Sequence, residues 1–256
     1  ILSLIETEMY FNPKSTFIQL GDFFHSAKPY PKEYSSAIQR IEKFSTLGKV
    51  YIIAGNNSHE YHYLQKTYAI DPLVKENVHL IKIPEVITIE NKIFLFLPWI
   101  PQEAVKALGA SSMEELYSDI GQYLSLPEKV DYVLYHFEDE TVFLGGENHG
   151  IDLSYLEKLY PNIRRIGGHI HLQSPNYLGS PYQTRYDEKG QVGRYLAIDE
   201  DKEEYKAFPP FIQHIDVDYS DEPQASDFSD YILTISNAPS VDSAYRKFSQ
   251  EKVFIR

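Results

Sequence analysis

The chain of 256 residues contains no cysteine. That single absence excludes a disulfide framework, a thiolate zinc site and a cysteine nucleophile, and it suits a reducing compartment. Positive charge is also scarce: Lys and Arg number 24 against 37 Asp and Glu, for a net charge of −13. Such a chain cannot gather nucleic acid through a bulk positive field. Long apolar runs are missing too. The longest, around Ile93–Ile100, falls far short of the roughly 20 residues of a membrane span, and no signal-peptide pattern is present. Hydrophobic residues at 43% and charged residues at 24% rule out global disorder. The length suits one large α/β unit or one domain with an appendage. What the chain does carry is nine His, 21 Tyr and many acids. That inventory suits metal ligation and phosphate contact rather than redox chemistry.

Strand-like and helix-like stretches alternate over the first three-quarters. Ile1–Phe11 reads as the back half of a helix. Ser15–Leu20 is β-branched and apolar and stops at Gly21-Asp22. Glu33–Leu47 carries Tyr34, Ala37, Ile38, Ile41, Phe44 and Leu47 at helical spacing and closes on Gly48. Lys49–Ala54 is a second buried strand, ending at Gly55-Asn56-Asn57. Val78–Ile83, Val86–Ile89 and Ile93–Leu97 read as paired strands joined by tight turns, with Pro84 and Asn91 as breakers. Met113–Leu124 reads as one amphipathic helix, Val130–Tyr135 as a strand stopping at His136, and Asp152–Tyr160 as a short helix capped by Asp152 or Ser154. Arg164–Ile166 leads into Gly167-Gly168-His169-Ile170-His171. After Phe208-Pro209-Pro210, a boundary, Phe211–Val217 and Tyr231–Ile235 are strand-like around an acidic loop at Ser220–Asp230, and Ser240–Phe248 starts a helix. The pattern predicts α/β layers with mixed pairing.

Four strand-like runs therefore end in a residue of ligand type: Asp22, Asn56, His136, and the pair His169 and His171. Sites in layered α/β folds form beyond the carboxyl ends of strands, so these loops can converge. Gly21, Gly55 and Gly168 let the backbone turn sharply beside each ligand. On an extended segment the side chains of a His-x-His pair share a face. Aspartate can bridge two cations, and Asn supplies a neutral oxygen. Mixed nitrogen and oxygen ligation of this kind suits Mn²⁺, Fe²⁺ or Zn²⁺ better than Ca²⁺. Taken singly, Gly21-Asp22 reads as a turn and His136 as a hydrogen-bonded rim histidine. The ordered set carries the metal reading.

With these residues in view the chain resembles the calcineurin-like metallophosphoesterases, in Gly21-Asp22-Phe23-Phe24-His25, Gly55-Asn56, His136 and Gly168-His169-Ile170-His171. Within that superfamily, Tyr177-Leu178-Gly179-Ser180-Pro181-Tyr182-Gln183 followed by a strand at Val192–Asp199 is similar to the SbcD-type nuclease subunit. Leu97-Pro98-Trp99 and Glu147-Asn148-His149-Gly150 resemble its compact bacteriophage versions. The resemblance covers residues 1–200. It implies a metallophosphoesterase sandwich of two mixed β-sheets flanked by helices over residues 1–208, with the start of a small DNA-capping domain at 209–256. It further implies a metal-dependent DNA exo- and endonuclease of recombination, repair and replication. That enzyme would use two divalent cations, Mn²⁺ first and Mg²⁺, Fe²⁺ or Zn²⁺ as substitutes. It would act on DNA ends or single strands with an SbcC-type ATPase, as a homodimer, in the cytoplasm (the host's, for a phage protein) and off the membrane. Asp22 would bridge both metals, Asn56, His136 and His169 would hold one, and His171 the other.

The chain departs from the family pattern in three places. The first motif, Asp-x-His, is absent and is expected upstream of Ile1; failing that, one metal site is incomplete. Asn57 occupies the position of the catalytic histidine, so His59 is the substitute, with His62 behind it; a solvated helix start explains both equally well. His25 stands where the pattern has aspartate, as a supporting or surface residue. Arg185, Arg194 and Tyr182 are candidates for contacting substrate. Lys28, Lys32, Arg40, Lys43 and Lys49 form either a basic strip for phosphates or a solvated helix face. His79 and His214 read as structural, and His149 as a turn residue. Two other readings stay open: a phosphodiesterase or phosphatase for small molecules or proteins, and a DNA-end-binding scaffold with a decayed site.

Overall fold

Runs of β-branched and aliphatic residues set the strands of the first of two units, Ile1–Ile170 and His171–Arg256. The structure, a computed structural model, describes residues 1–144, 147–148, 150–209, 213–218, 220, 231–236 and 254–255. In the first unit Phe17–Gln19, Val50–Ile53 and Val78–Ile81 form a parallel sheet with Val50–Ile53 at its centre. All four residues of that central strand are buried, as a parallel sheet covered on both faces requires. The second sheet is mixed. Arg164–Gly167, Tyr132–Tyr135 and Lys92–Leu97 run parallel, and Glu85–Ile89 pairs antiparallel to Lys92–Leu97. Tyr51 of the first sheet and Phe96 of the second stack with ring centroids 6.0 Å apart.

Helix Pro31–Leu47 covers the first sheet. Pro31 opens it with a preset φ, and the Glu33 carboxylate reaches back to accept the Tyr30 N–H at 2.7 Å. Ala37, Ile41 and Phe44 form its buried stripe, and the Phe44 ring meets Phe17 of the sheet edge-on at 5.3 Å. The opening segment is indeed a helix, Leu2–Phe11, burying Ile5 and Met9. Its Glu6 pairs with Arg40 and, at 3.2 Å, with Lys43. Two of the five cations of the stretch Lys28–Lys49, Arg40 and Lys43, therefore join helix to helix. Lys28, Lys32 and Lys49 are exposed.

Three expectations need correcting. Val78–Ile81 does not continue into a hairpin with the strands after it: it leaves Pro84 behind and pairs parallel to Val50–Ile53, where its buried ends Val78 and Ile81 complete the first sheet. Of these two sheets only the second is consequently mixed. The single helix expected over Met113–Leu124 is two pieces, Met113–Ser118 and a 3₁₀ turn Ile120–Gln122. The break falls at Asp119 (φ −143°), two residues before Gly121, a poor helix former. Ser112 caps the first piece by accepting the Glu115 N–H at 3.1 Å. Asp152 does not cap its helix as an N-cap residue, since Ser154–Leu159 starts after Leu153; its carboxylate accepts the Ser154 N–H at 2.8 Å instead.

In the second unit Arg194–Asp199 pairs antiparallel with Lys202–Ala207 through a tight turn with Glu200 at φ 52°. Gln213–Asp218, Tyr231–Ser236 and Phe254–Ile255 run parallel. The helix expected at Ser240–Phe248, residues 221–230 and His149 lie outside the described residues. No helix among the described residues is long and apolar enough to cross a membrane.

Phe44 gives a direct check on the first layer. It is fully buried, so Phe44→Ala should cost roughly 3–5 kcal/mol, read as a lower urea midpoint with an unchanged m value. A loss under about 1 kcal/mol would show that this helix is not seated on the sheet.

Candidate functional site

Four loops of the first unit meet at the carboxyl ends of their strands. The turn after Phe17–Gln19 is clamped by Gln19, whose side chain donates to the Gly21 carbonyl at 2.6 Å and accepts the Gly21 N–H at 3.0 Å. Gly21 and Asp22 both take left-handed backbone, at φ 85° and 53°, and so swing the Asp22 carboxylate back over the sheet edge. A Cβ on Gly21 would lie 2.1 Å from His136 Nδ1, and one on Gly55 would lie 2.2 Å from Asp22 Oδ1. Only hydrogen fits at either place.

The carboxylate is the hub. The Asn56 backbone N–H donates to Asp22 Oδ1 at 3.1 Å, and Asn56 Nδ2 approaches Oδ2 at 3.4 Å. His136 Nε2 stands 3.0 Å from Oδ1, and His59 Nε2 stands 3.9 Å from Oδ2. His169, on left-handed backbone at φ 70°, places its ring 5.2 Å from that of His136, with Nδ1 3.3 Å from Asn56 Nδ2 and Nε2 3.7 Å from Glu138. Ligand-type atoms of Asp22, His136 and His169 all lie within 4.8 Å of one another. Burial alone would raise the Asp22 carboxyl. When His136 carries a second proton on Nε2, that ring, with His59 and the Asn56 N–H, outweighs burial and holds the carboxyl below its usual range.

His136 carries the strongest chemical signal. Its ring is buried, with 1% exposure, and Nδ1 lies 2.5 Å from the Leu20 carbonyl oxygen. An acceptor at that distance puts the proton on Nδ1. In the neutral ring Nε2 is then a lone pair facing the Asp22 carboxylate. Nε2 is buried and has no partner in hydrogen-bond geometry, although Oδ1 is 3.0 Å away. Two acceptors held that close repel unless a second proton or a cation stands between them. An oxygen and two imidazole nitrogens are a donor set that a divalent transition ion fits.

The sequence-derived residues fare differently. Asp22, His136 and His169 come together. Asn56 arrives beside them, but turned: its Oδ1 accepts from Ser58 N (2.9 Å) and Ser58 Oγ (2.5 Å), so the amide nitrogen and not the oxygen faces the cluster. Asn57 is exposed. His59, two residues on, is the histidine of that loop that reaches Asp22, and its Nδ1 is buried without a partner. His25 is exposed, its ring 5.6 Å from that of His59. The His62 ring accepts the Gln65 N–H of its own turn at 3.2 Å, and His79 pairs with Glu85 at 2.9 Å. The division between the two units falls between Ile170 and His171. In the second unit Arg185 is exposed and Tyr182 half-buried. The Arg194 guanidinium donates to the carbonyls of Ser174 and Tyr177, each at 3.1 Å, and lies over the Tyr205 ring.

Sequence reasoning missed Glu60. Fully buried, it accepts the Phe23 N–H and, at 2.5 Å, the Gly55 N–H, tying the Asp22 loop to the Asn56 loop. The only hint in the sequence is an acid five residues after Gly55. No family model matches the chain, and no curated protein does.

Desolvation pushes the Glu60 carboxyl from 4.5 up to about 7, against the two N–H donors. A raised folded-state pKa for an acid means its stabilising contribution is complete below 4.5 and is lost as pH rises through about 7. The swing is on the order of 3 kcal/mol. In metal-free buffer the wild type should therefore lose stability relative to Glu60→Gln across that window, measured by urea unfolding at a series of pH values. Parallel pH profiles for the two proteins would refute it.

Proposed function

We propose that the chain is a metal-dependent phosphodiesterase acting on DNA, an SbcD-like exo- and endonuclease subunit working with an SbcC-type ATPase in recombination and repair. The observation that supports it best is the buried Nε2 of His136 held 3.0 Å from the Asp22 carboxylate, with His169 completing a three-donor cluster. The α/β layers, with their strand ends turned toward that cluster, are compatible with a metallophosphoesterase sandwich. The sequence motif adds His171 as a ligand of a second cation.

When bound, divalent cations of this kind, Mn²⁺ first among them, would activate a water and neutralise charge on a phosphoryl oxygen. The chain's own residues have separable tasks. Asp22, His136 and His169 hold the ion. The Leu20 carbonyl keeps the proton of His136 on Nδ1, and the Asn56 N–H orients Asp22. His59 would give a proton to the departing oxygen, as the replacement for the histidine that Asn57 displaces. With a net charge of −13, attraction for a polyanion has to come from bound cations and partner subunits rather than from the chain's overall field.

Asp22→Ala and His171→Ala should each reduce Mn²⁺-dependent cleavage of linear DNA to background while thermal unfolding stays close to wild type. His59→Ala should lower turnover roughly 10²–10⁴-fold with Mn²⁺ affinity unchanged. DNA left intact while a small phosphodiester is hydrolysed would move the assignment to a small-molecule phosphodiesterase. Activity retained in Asp22→Ala would remove the metal reading.

A further inference from the structure

Glu188 is a carboxylate of the second unit that the chemistry above leaves unused, and it is 0% exposed. Its Oε1 lies 2.7 Å from His171 Nδ1 and accepts from the Thr184 hydroxyl at 3.0 Å. Its Oε2 accepts from the Ser180 hydroxyl at 2.9 Å and from the Thr184 N–H at 2.6 Å. The same stretch of chain also grips the backbone of His171, whose carbonyl accepts the Ser180 N–H at 2.9 Å and the Gln191 amide at 2.7 Å. Gln191 is in turn fixed by the Gln173 N–H, which it accepts at 2.8 Å. Residues 180–191 thus hold one histidine by both its ring and its main chain.

A buried carboxylate is expensive unless donors surround it, and here the donors are two hydroxyls, one amide and the imidazole. The last has a chemical consequence. With Nδ1–H committed to Glu188, the neutral ring carries its free lone pair on Nε2, and the carboxylate makes that nitrogen a better donor and fixes the ring plane. The His171 side chain keeps 32% of its exposure, so the ring is oriented without being sealed in.

We propose that Glu188 is a positioning residue that presents His171 Nε2 to a divalent cation. The proposal rests on the cation reading given above and assigns to that reading a residue for which no motif speaks. A Glu188 that merely braced its own loop would leave the tautomer and the metal affinity untouched.

Full-length chain with ¹⁵N-labelled histidine, its signals assigned with His171→Ala, reports the tautomer in metal-free buffer, and Mn²⁺ titration by calorimetry reports affinity. Wild type should show His171 protonated on Nδ1. Glu188→Ala should mix the tautomers and weaken Mn²⁺ binding roughly 10–100-fold. Glu188→Gln, closer in shape and expected to fold, should fall between them, and Glu188→Ala added to His171→Ala should weaken binding no further than His171→Ala alone. Equal Mn²⁺ affinity in wild type, Glu188→Ala and Glu188→Gln, or a wild-type His171 protonated on Nε2, would overturn the proposal while leaving the cation reading intact. A wild type that binds no Mn²⁺ would overturn the cation reading, and with it the role given to Nε2.

Discussion

One buried carboxylate underlies the geometry of the first unit. Glu60 receives the main-chain N–H groups of Phe23 and Gly55, which belong to loops leaving two neighbouring parallel strands. Parallel strands are aligned by their ladder, but nothing in the ladder dictates where the chain goes after the last bond. A shared acceptor below the two turns supplies that missing constraint. It brings the Asp22 side chain onto the Asn56 N–H, and through Asp22 it sets where His136 and His59 have to stand. The hydrophobic layers beneath, with Ile52, Ile53 and Phe44 excluded from water, provide the rigid floor; Glu60 converts that floor into a defined set of polar positions.

Acidic charge is handled in two ways. On the outside it links elements: Glu6 takes up Arg40 and Lys43, and so joins the first two helices. Inside, two carboxylates collect neutral donors, while buried Asp139 and half-buried Glu140 take up the buried Arg165. Glu60 and Glu188 are both enclosed and both held mainly by main-chain N–H groups, hydroxyls or imidazole. For Glu60 and Glu188, neutral donors of this kind avoid the desolvation of a second charge.

Much of the architecture is legible because buried parallel strands announce themselves. Val50–Ile53 and Tyr132–Tyr135 are continuous apolar runs, and helix Pro31–Leu47 has a clean 3.6-residue stripe; all lie within a few residues of where the pattern puts them. The ligand-type residues at strand ends were equally visible, since Gly next to Asp, Asn or His marks a turn with a polar tip. Other features depend on information that no local pattern holds. Val78–Ile81 has the composition of a hairpin strand, but its partner is chosen by the vacant edge of a sheet. Lys202–Ala207, five of whose six residues are exposed, shows no apolar alternation and is held as a strand by its ladder to Arg194–Asp199. The Asn56 amide is turned by Ser58, and Glu60 and Glu188 acquire their roles only through burial. Arg194 shows what local pattern leaves out: a cation near a Gly-Ser-Pro loop suggests anion binding, yet it also braces the carbonyls of Ser174, Tyr177 and Leu178.

The left-handed backbone at Asp22 and His169 has a consequence for selectivity. Aspartate and histidine enter this region more readily than most residues, but each is held there by its surroundings, and that conformational restriction is met during folding rather than when anything binds. Backbone restrained in this way limits how far the two donors could move apart for a larger guest. A cation that demands many oxygen ligands at long, variable distances, such as Ca²⁺, would find the cluster too small in both number and reach. A compact transition ion would meet donors already in place. Under the metal reading proposed above, the backbone angles of two residues would act as a size filter, set before any ion arrives.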